Sequence, residues 1–417
     1  MAGCVIIGLD GGSFNYLTPL MRGGFMPNLA AHAGASCRAV LRSTVPPFTI
    51  PAWASFHTGR TPGDHGLFSF RTIQSGSYHV EDSGRFIDSR LLPRPLIWDL
   101  LARAGARTIT VNVPLTYPPF PVNGALISGM LTPSPAVDFT YPAELKHQLD
   151  GYMIDVDYLR AGEDNVLSGI QDPSRALRDL TAMVHGRRRA IQRLTSMFQW
   201  DVCMVVFTVT DRLCHFFWHE LGKLASDPAA VPFAAELREV LVSLDQALGD
   251  LFALPGTHVM VLSDHGFDEA PVRFFYVNAW LRRLGLFAAT TGGALRGTLQ
   301  RAGAVKWLRD LAPAAVMNRA RATLKGSYAD IVDWPSTKAY FMPLYTGYAG
   351  IAINRQGVKP QGSVRPGDYE PLRDVLIHQA LRLKSPEGFR LVRTAHRREE
   401  LFAGANCELF PDVVLRL

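Results

Sequence analysis

Short apolar runs alternate with helical patterns along this sequence, and this alternation restricts the possible fold more than any other feature. Between the runs, apolar residues recur at helical spacing, most clearly across residues 172–198 and 232–251. Buried strands separated by helices are typical of a mainly parallel sheet. We therefore predict an α/β fold with a mainly parallel central sheet and helices on both faces. The predicted strands cover residues 5–9, 108–113, 202–209 and 258–262.

Residues 288–333 differ from the rest of the sequence, since they are Gly-rich at first and then basic and helical, with no strong strand pattern. We interpret them as a small helical cap inserted into one domain that comprises residues 1–287 and 334–417. Arginines in this segment suit either an anionic or nucleotide group or a solvated helix face, and we favour the solvated face. These residues are Arg296, Arg301, Arg309, Arg319 and Arg321.

Composition and charge exclude several classes of protein. Hydrophobic residues make up 47% and charged residues 19%, which is globular rather than disordered. The formal charge of +6 favours anionic small molecules, but it is too diffuse to predict nucleic-acid binding. No apolar run approaches the length of about 18 residues that predicts a membrane-spanning helix, and the N-terminus lacks the basic region of a signal peptide. The five cysteines have no C-x-x-C spacing, so we expect a cytoplasmic protein without a membrane partner.

Polar residues that suit a metal or phosphate site lie directly after the first predicted strand and just before an early predicted helix. Asp10 comes directly after the strand and precedes Gly11 and Gly12, which allow close backbone approach to a ligand. The same three residues also make an ordinary turn, which we favour for this motif taken alone. Thr49 lies near the predicted N-cap of a helix that begins at Pro51. Its hydroxyl is therefore either a nucleophile above the positive helix end or a capping group.

Carboxylate and imidazole side chains pair at two later positions. Asp211 and His215 are four residues apart, so on a helix they share one face and can hold one cation. Asp264 and His265 are adjacent at the end of a predicted strand, and neighbouring side chains on an irregular turn point in different directions, as two contacts to one metal require. His219 continues the face of His215, but for this residue we favour a structural, partly buried role.

Taken together and in this order, the motifs resemble the alkaline phosphatase superfamily. The most similar branch is that of the type I phosphodiesterases and nucleotide pyrophosphatases, which includes bacterial predicted phosphohydrolases or phosphomutases. The resemblance covers nearly the whole chain. It is carried by Asp10-Gly11-Gly12, Thr49-Ile50-Pro51-Ala52-Trp53, His65-Gly66, residues 112–119, Thr210-Asp211, residues 215–219, residues 263–267 and residues 398–402.

The resemblance implies an alkaline-phosphatase-like fold and metal-dependent cleavage of phosphodiester or pyrophosphate bonds in nucleotide-like substrates. By position, the implied ligands of one divalent ion are Asp10, Thr49, Asp264 and His265, and those of a second ion are Asp211 and His215. The implied nucleophile is Thr49, which would form a covalent phospho-threonine. Two divalent ions are implied, with zinc as the first choice and manganese as the second.

Two features depart from the family pattern. Ala52 stands where many nucleotide pyrophosphatases have an Asn that contacts the phosphate, so this contact would fall to the metals and to backbone N–H groups. The family's last metal ligand is a His in a segment downstream of Arg398, and this sequence ends before such a segment. We therefore expect the second ion to be absent, weakly held or completed by another residue. The candidate replacements are His57, His65 and His219.

The leading hypothesis is a metal-dependent phosphohydrolase that acts on a phosphorylated small molecule. One alternative is a phosphomonoesterase or phosphotransferase of the same superfamily, and another is a degenerate member that binds a phosphorylated ligand without catalysis. Sulfate ester hydrolysis is disfavoured because Thr49 stands where sulfatases carry a modifiable Cys or Ser. Trp53, Phe68 and Tyr345 either line the pocket or pack in the core, and core packing is the commoner role of aromatic residues. The sequence does not predict the oligomeric state.

Overall fold

The computed structural model describes residues 3–73, 76, 78, 84–155, 172–270, 274–290, 331–345 and 347–417. It divides into two compact units. The first comprises Met1–Phe68 and Ile87–Pro271, and the second comprises Ser69–Phe86 and Val272–Leu417. Within the described ranges, no helix combines the length and the apolar character that crossing a membrane requires.

A six-stranded sheet in the order β4-β3-β2-β5-β1-β6 forms the centre of the first unit. All neighbouring strands in it run parallel except β4, which is antiparallel to β3. The mainly parallel sheet predicted from the sequence is thus confirmed, although the predicted strand 202–209 is two residues shorter. The strands are β1 Gly3–Leu9, β2 Thr108–Val113, β3 Gly124–Ser128, β4 Thr140–Tyr141, β5 Val202–Phe207 and β6 Thr257–Leu262.

Helices follow or precede most of these strands in the first unit. They are α1 Phe14–Arg22, α2 Pro27–Gly34, α3 Thr49–Thr58, α4 Pro62–His65, α5 Ile97–Arg103, α6 Pro173–Met197, α7 Val209–Leu224 and α8 Ala234–Phe252. Short 3₁₀ segments lie at Ser89–Leu91, Ala143–Gln148 and Pro228–Ala230. The two long helices predicted from apolar spacing correspond to α6 and α8.

Side chains that alternate along β1 show how both faces of the sheet are covered. Val5, Ile7 and Leu9 are buried in one apolar core with residues of α1, α2, α6, α7 and α8. Gly8 faces the opposite side, because successive strand residues point to opposite faces. A Cβ atom at Gly8 would lie 2.7 Å from the ring of Trp53, so helix α3 packs directly against the backbone there.

An antiparallel sheet in the order β7-β8-β10-β9 organises the second unit. Its strands are β7 Ala339–Pro343, β8 Tyr348–Ile353, β9 Thr394–Arg397 and β10 Val413–Arg416. Its helices are α9 Val277–Arg283, α10 Tyr369–Leu381 and α11 Arg398–Leu401, with 3₁₀ segments at Pro366–Asp368 and Cys407–Leu409. Most of the predicted cap lies outside the described residues, so the cap and the grouping of 1–287 with 334–417 in one domain stay predictions.

Candidate metal centre

The predicted site residues converge because three neighbouring parallel strands end at the same edge of the sheet. Strand β1 lies between β5 and β6. Asp10 follows β1 directly, Asp211 lies in the first turn of α7 just after β5, and Asp264 and His265 follow β6. In open α/β sheets, ligands bind outside the carboxyl ends of the strands, which is the edge that these side chains occupy.

The side chains of Asp10, Asp264 and His265, called here the Asp10 cluster, bring their donor atoms within 4.8 Å of one another. Nε2 of His265 is 3.6 Å from Asp10 Oδ1 and 3.4 Å from Asp264 Oδ2. The Thr49 hydroxyl lies 3.2 Å from the same nitrogen. Ligands placed about 2.0–2.2 Å from a tetrahedral ion are about 3.3–3.6 Å apart. The spacing around His265 is therefore that of atoms able to share one cation.

The hydrogen bonds around the Asp10 cluster leave one oxygen of each carboxylate available to bind such an ion. Asp264 Oδ1 accepts the backbone N–H of Gly11 at 3.1 Å, whereas Oδ2 is buried and accepts no hydrogen bond from the described residues. Asp10 Oδ2 accepts the indole N–H of Trp53 at 3.2 Å, and its other oxygen faces His265. A buried carboxylate oxygen without a donor is costly unless a cation or proton compensates it. This donor set fits a divalent cation.

The backbone also fixes which nitrogen of His265 can act as a ligand. Nδ1 lies 2.9 Å from the carbonyl oxygen of Gly266. Because a carbonyl only accepts, Nδ1 carries the proton in this contact and the neutral ring has its lone pair on Nε2. A hydrogen bond at the far nitrogen is the usual way in which proteins orient a metal-binding imidazole. Oxygen donors combined with one imidazole suit zinc or a similar divalent ion.

Electrostatics in the Asp10 cluster favour the same interpretation. Burial raises the pKa of Asp10 well above its ordinary value, and the neighbouring carboxylates of Asp264 and Asp211 raise it further. Burial likewise raises the pKa of Asp264. Two buried carboxyl groups this close resist simultaneous ionisation, and a bound cation requires both to be ionised. A divalent ion would thus offset the repulsion between the two buried carboxylates, which destabilises the metal-free protein when both are ionised.

Thr49 occupies the first residue of α3, with Phe48 as the N-cap. The helix therefore begins two residues before the predicted start at Pro51. A proline is tolerated in the first turn because the N–H groups there have no intrahelical acceptor, so the missing N–H of proline costs no hydrogen bond. Thr49 is therefore not the capping residue, because that position belongs to Phe48. Instead its largely buried hydroxyl lies at the positive end of the helix, next to His265.

Asp211 and His215, called here the Asp211 pair, lie together on α7 as their spacing predicts. His215 Nε2 is 3.4 Å from Asp211 Oδ1, which is compatible with two ligands of one ion. Asp211 Oδ2, however, accepts a hydrogen bond from Arg212 at 2.6 Å. Burial tends to raise the pKa of Asp211, but the hydrogen bond from His215 and the charge of Arg212 outweigh it and lower the pKa to about 2.

The Asp211 pair does not reach the number of donors that a closed cation site needs. Protein sites for zinc commonly provide three or four ligands. In the part of the chain that the structure describes, only the Asp10 cluster brings three such donors within 4.8 Å. With Arg212 bound to one oxygen of Asp211, the residues present here do not fit a second ion.

Gly11 and Thr210 hold the two groups side by side. Gly11 has a φ of +65°, and a Cβ there would lie 3.3 Å from Asp211 Oδ1, so glycine permits this approach without strain. The turn at Asp10-Gly11-Gly12 therefore also serves the site, since the N–H of Gly11 binds Asp264. The Thr210 hydroxyl donates to the main-chain oxygen of Asp10 at 2.6 Å, which ties the start of α7 to the end of β1.

The histidines considered as replacements for the missing ligand have other roles or positions. Nδ1 of His57 accepts the Trp98 indole N–H at 2.9 Å, and its Nε2 lies 2.7 Å from the Pro114 carbonyl. His65 Nδ1 accepts the N–H of Leu67 at 3.1 Å. Burial lowers the pKa of each of these two histidines to about 4, which is typical of neutral structural imidazoles.

His219 is exposed, which corrects the expected partly buried role. Helix α7 has non-helical angles at Phe217 (φ −132°, ψ 27°), which lies between His215 and His219. Among the aromatic residues, Trp53 and Phe68 are buried and Tyr345 is 37% exposed.

The sequence analysis named Trp53 only as a pocket-lining or core residue and did not name Arg212, whereas the structure shows Trp53 donating to Asp10 and Arg212 donating to Asp211. Each is four residues or fewer from a predicted site residue on the same helix, so its neighbourhood was visible in the sequence. Both roles could have been predicted by looking for a side chain with an N–H group within one helical turn of a candidate nucleophile or buried carboxylate.

Residues 4–345 match the sequence profile of type I phosphodiesterase / nucleotide pyrophosphatase. Phosphonoacetate hydrolase from Sinorhizobium meliloti 1021, in complex with phosphonoacetate, has a TM-score of 0.54 and 15% identity, and the match covers 100% of this chain and 80% of that one. Its complex with phosphonoformate has a TM-score of 0.49 and 16% identity, with coverage of 100% and 80%. No curated protein matches in sequence. At 15% identity the likeness to the phosphonoacetate complex shows the fold alone, and it confirms the predicted alkaline-phosphatase-like fold.

Proposed function

Because the chain belongs to the type I phosphodiesterase / nucleotide pyrophosphatase family and is a hydrolase of that type, we propose that it cleaves a phosphodiester or pyrophosphate bond of a phosphorylated small molecule. Thr49 is the nucleophile in this proposal, and the Asp10 cluster holds a divalent cation, zinc or manganese. The observation that carries the proposal is the 3.2 Å contact between the Thr49 hydroxyl and His265 Nε2. It sets a nucleophile beside three donors that fit a cation.

The residues of the chain divide the reaction into two displacements. When bound, a divalent cation supplies the Lewis acidity that makes a threonine hydroxyl nucleophilic near neutral pH. Thr49 Oγ1 forms a bond to phosphorus as the bond to the leaving oxygen breaks. The hydroxyl proton passes to solvent, and the leaving oxygen takes a proton from water. Water then attacks the phospho-threonine, the bond between Thr49 and phosphorus breaks, and Thr49 regains a proton.

Helix α3 adds a second contribution to the proposed reaction. The N–H groups of its first turn lack intrahelical acceptors, and they carry the positive end of the helix dipole. Since the Ala52 side chain has no hydrogen-bonding group, the Ala52 N–H already donates to the Phe48 carbonyl at 3.3 Å and Pro51 has no N–H, the N–H groups of Thr49 and Ile50 are the nearest donors in sequence for the phosphoryl oxygens. Charge that develops on those oxygens would be stabilised there.

Activity of the purified full chain on an aryl phosphodiester and an aryl phosphomonoester, with zinc or manganese, tests the proposal. We expect faster turnover of the diester and a loss of at least about 100-fold in Thr49→Ala, since a covalent route needs its nucleophile. Thr49→Ser, which keeps a hydroxyl, should retain measurable turnover. Thr58→Ala, at the other end of the same helix, is the matched control and should stay close to the unmodified protein.

Three outcomes would contradict the proposed function. Turnover by Thr49→Ala at the unmodified rate would exclude Thr49 as the nucleophile. Preference for the monoester would favour a phosphomonoesterase or phosphotransferase. Absence of turnover together with tight binding of a phosphorylated ligand would favour the non-catalytic alternative.

A further inference from the structure

We propose that Arg212 supplies, in place of a second divalent cation, the positive charge at Asp211, so that the centre holds a single metal ion in the Asp10 cluster. This inference rests on the proposed function, because it assumes that the Asp10 cluster binds an ion. It goes beyond that function by stating how many ions the centre takes. It also states which side chain replaces the other ion.

The guanidinium of Arg212 is held in a fixed position by two carboxylates. Its Nη2 and Nε contact the two oxygens of Asp155 at 2.6 and 3.3 Å, as a two-point fork. Its Nη1 donates to Asp211 Oδ2 at 2.6 Å. Only 13% of the Arg212 side chain and 8% of the Asp155 side chain are exposed. Forked Arg–carboxylate contacts of this kind are directional, so Arg212 is not free to swing away from Asp211.

A cation that approached Asp211 would meet unfavourable conditions at each side of the carboxylate. On Oδ2 it would compete with a guanidinium that stays charged at every accessible pH. On Oδ1 it would find His215 as the second donor, but the described residues bring no third donor to this point. The charge of Arg212 would also repel an ion held only a few ångströms away. An ion here would therefore bind much more weakly than one in the Asp10 cluster.

The contrast with the Asp10 cluster supports this assignment. There the protein donors, the N–H groups of Gly11 and Trp53, are neutral and occupy one oxygen of each carboxylate. At Asp211 the protein donor is itself a cation. The protein thus supplies its own positive charge at the Asp211 pair, whereas the metal-binding atoms of the Asp10 cluster have no cationic partner among the contacts described above.

Metal stoichiometry of the full chain, measured by equilibrium dialysis against zinc or manganese followed by elemental analysis, tests the inference without an activity readout. We expect one tightly bound ion per chain, lost in Asp264→Asn and kept in Asp211→Asn. Two tightly bound ions, one of which disappears in Asp211→Asn, would overturn the inference while leaving the proposed function intact. Absence of any tightly bound ion would overturn the proposed metal site and this inference with it.

A double variant and a control variant test the role of Arg212. Asp155→Asn combined with Arg212→Met removes the guanidinium and one of its carboxylates together, so that fewer buried charges remain uncompensated. We expect a second ion to bind to this double variant at least tenfold more tightly than to the unmodified chain. Arg175→Met, at an exposed arginine of α6, is the control and should not change binding. Unchanged second-ion affinity in a folded double variant would contradict the role of Arg212. If that variant does not fold, the ion counts of the unmodified chain and of Asp211→Asn still test whether the centre holds a single ion.

Discussion

The Asp10 cluster and the Asp211 pair lie at the same edge of one sheet and use the same residue types, but their charges are compensated differently. In the Asp10 cluster, neutral N–H groups hold one oxygen of each carboxylate, and the remaining donors converge on His265 Nε2. At the Asp211 pair, a guanidinium contacts the carboxylate directly. Matching residue types at neighbouring strand ends therefore do not imply matching sites. What decides between them is whether the protein already supplies the positive charge.

The largest effect that would sharpen this comparison is expected from removing Arg212. In Arg212→Met, the carboxylates of Asp155 and Asp211 lose their shared buried partner, and the free energy of unfolding should fall by about 3–5 kcal/mol. His215→Ala, at the exposed member of the pair, should change it by less than about 1 kcal/mol. Urea denaturation of the metal-free proteins measures both values. A loss below about 1 kcal/mol in Arg212→Met would show that the guanidinium is not the partner that holds Asp211.

Added metal should separate the two groups in a second way. An ion present at about 100 times its dissociation constant raises the free energy of unfolding by about 2.7 kcal/mol when it binds only the folded chain. We expect this gain in the unmodified protein and in Asp211→Asn, and its absence in Asp264→Asn. Thermal melting with zinc or manganese, and again after a chelator, checks it. Equal loss of the gain in both variants would mean that the Asp211 pair also binds the stabilising ion.

The two groups should also respond to pH in opposite directions in the metal-free protein. Burial and neighbouring carboxylates raise the pKa of Asp10, so its contribution to stability is present below about pH 4 and is lost as the pH rises through the folded-state pKa. The pKa of Asp211 is lowered from 3.8 to about 2, so its contribution is present above pH 3.8 and is lost as the pH falls toward about 2. The Asp211 contribution amounts to about 2 kcal/mol.

Urea denaturation of two variants across the pH range measures this difference. Asp10→Asn should reduce the fall in the free energy of unfolding that occurs as the pH rises above about 4. Asp211→Asn should reduce the fall that occurs as the pH drops from 3.8 toward about 2. Each variant thus serves as the control for the other. A single pH profile shared by both variants would contradict the opposite compensation of the two groups.

The parallel sheet and the convergence of Asp10, Asp211, Asp264 and His265 could be predicted because they depend on local patterns, whereas the ligand set as a whole and the role of Thr49 came from the resemblance to the family and stay predictions. Apolar runs that end in polar residues identify strand ends, and parallel strands bring those ends to one edge. Asp211 and His215 needed only the periodicity of a helix. The expected partial burial of His219 was wrong, since this residue is exposed, and the non-helical angles at Phe217 are a feature that residue spacing does not predict.

What the sequence could not predict depends on contacts between distant segments. The antiparallel sheet of the second unit pairs β8 with β10 across 62 positions of the chain (Val413 opposite Ile351), and both strands are short. The charge balance at Asp211 likewise depends on Asp155, which is 57 residues from Arg212. From the sequence alone, Arg212 is only the neighbour of a predicted ligand. Its role follows from the long-range pairing.

The smallest effect concerns Trp53, whose indole N–H orients one carboxylate of the Asp10 cluster. Trp53→Phe keeps an aromatic ring beside Gly8 but removes the hydrogen bond to Asp10 Oδ2. Outer contacts of this kind tune metal affinity by about 10–100-fold, and we expect a value near the lower limit because Oδ1, which faces His265, is not involved. Trp98→Phe is the matched control, since Trp98 is also buried and donates to His57 instead. Equilibrium dialysis should show weaker metal binding in the first variant and unchanged binding in the second, and equal affinities would mean that Trp53 acts on the centre only as a packing residue.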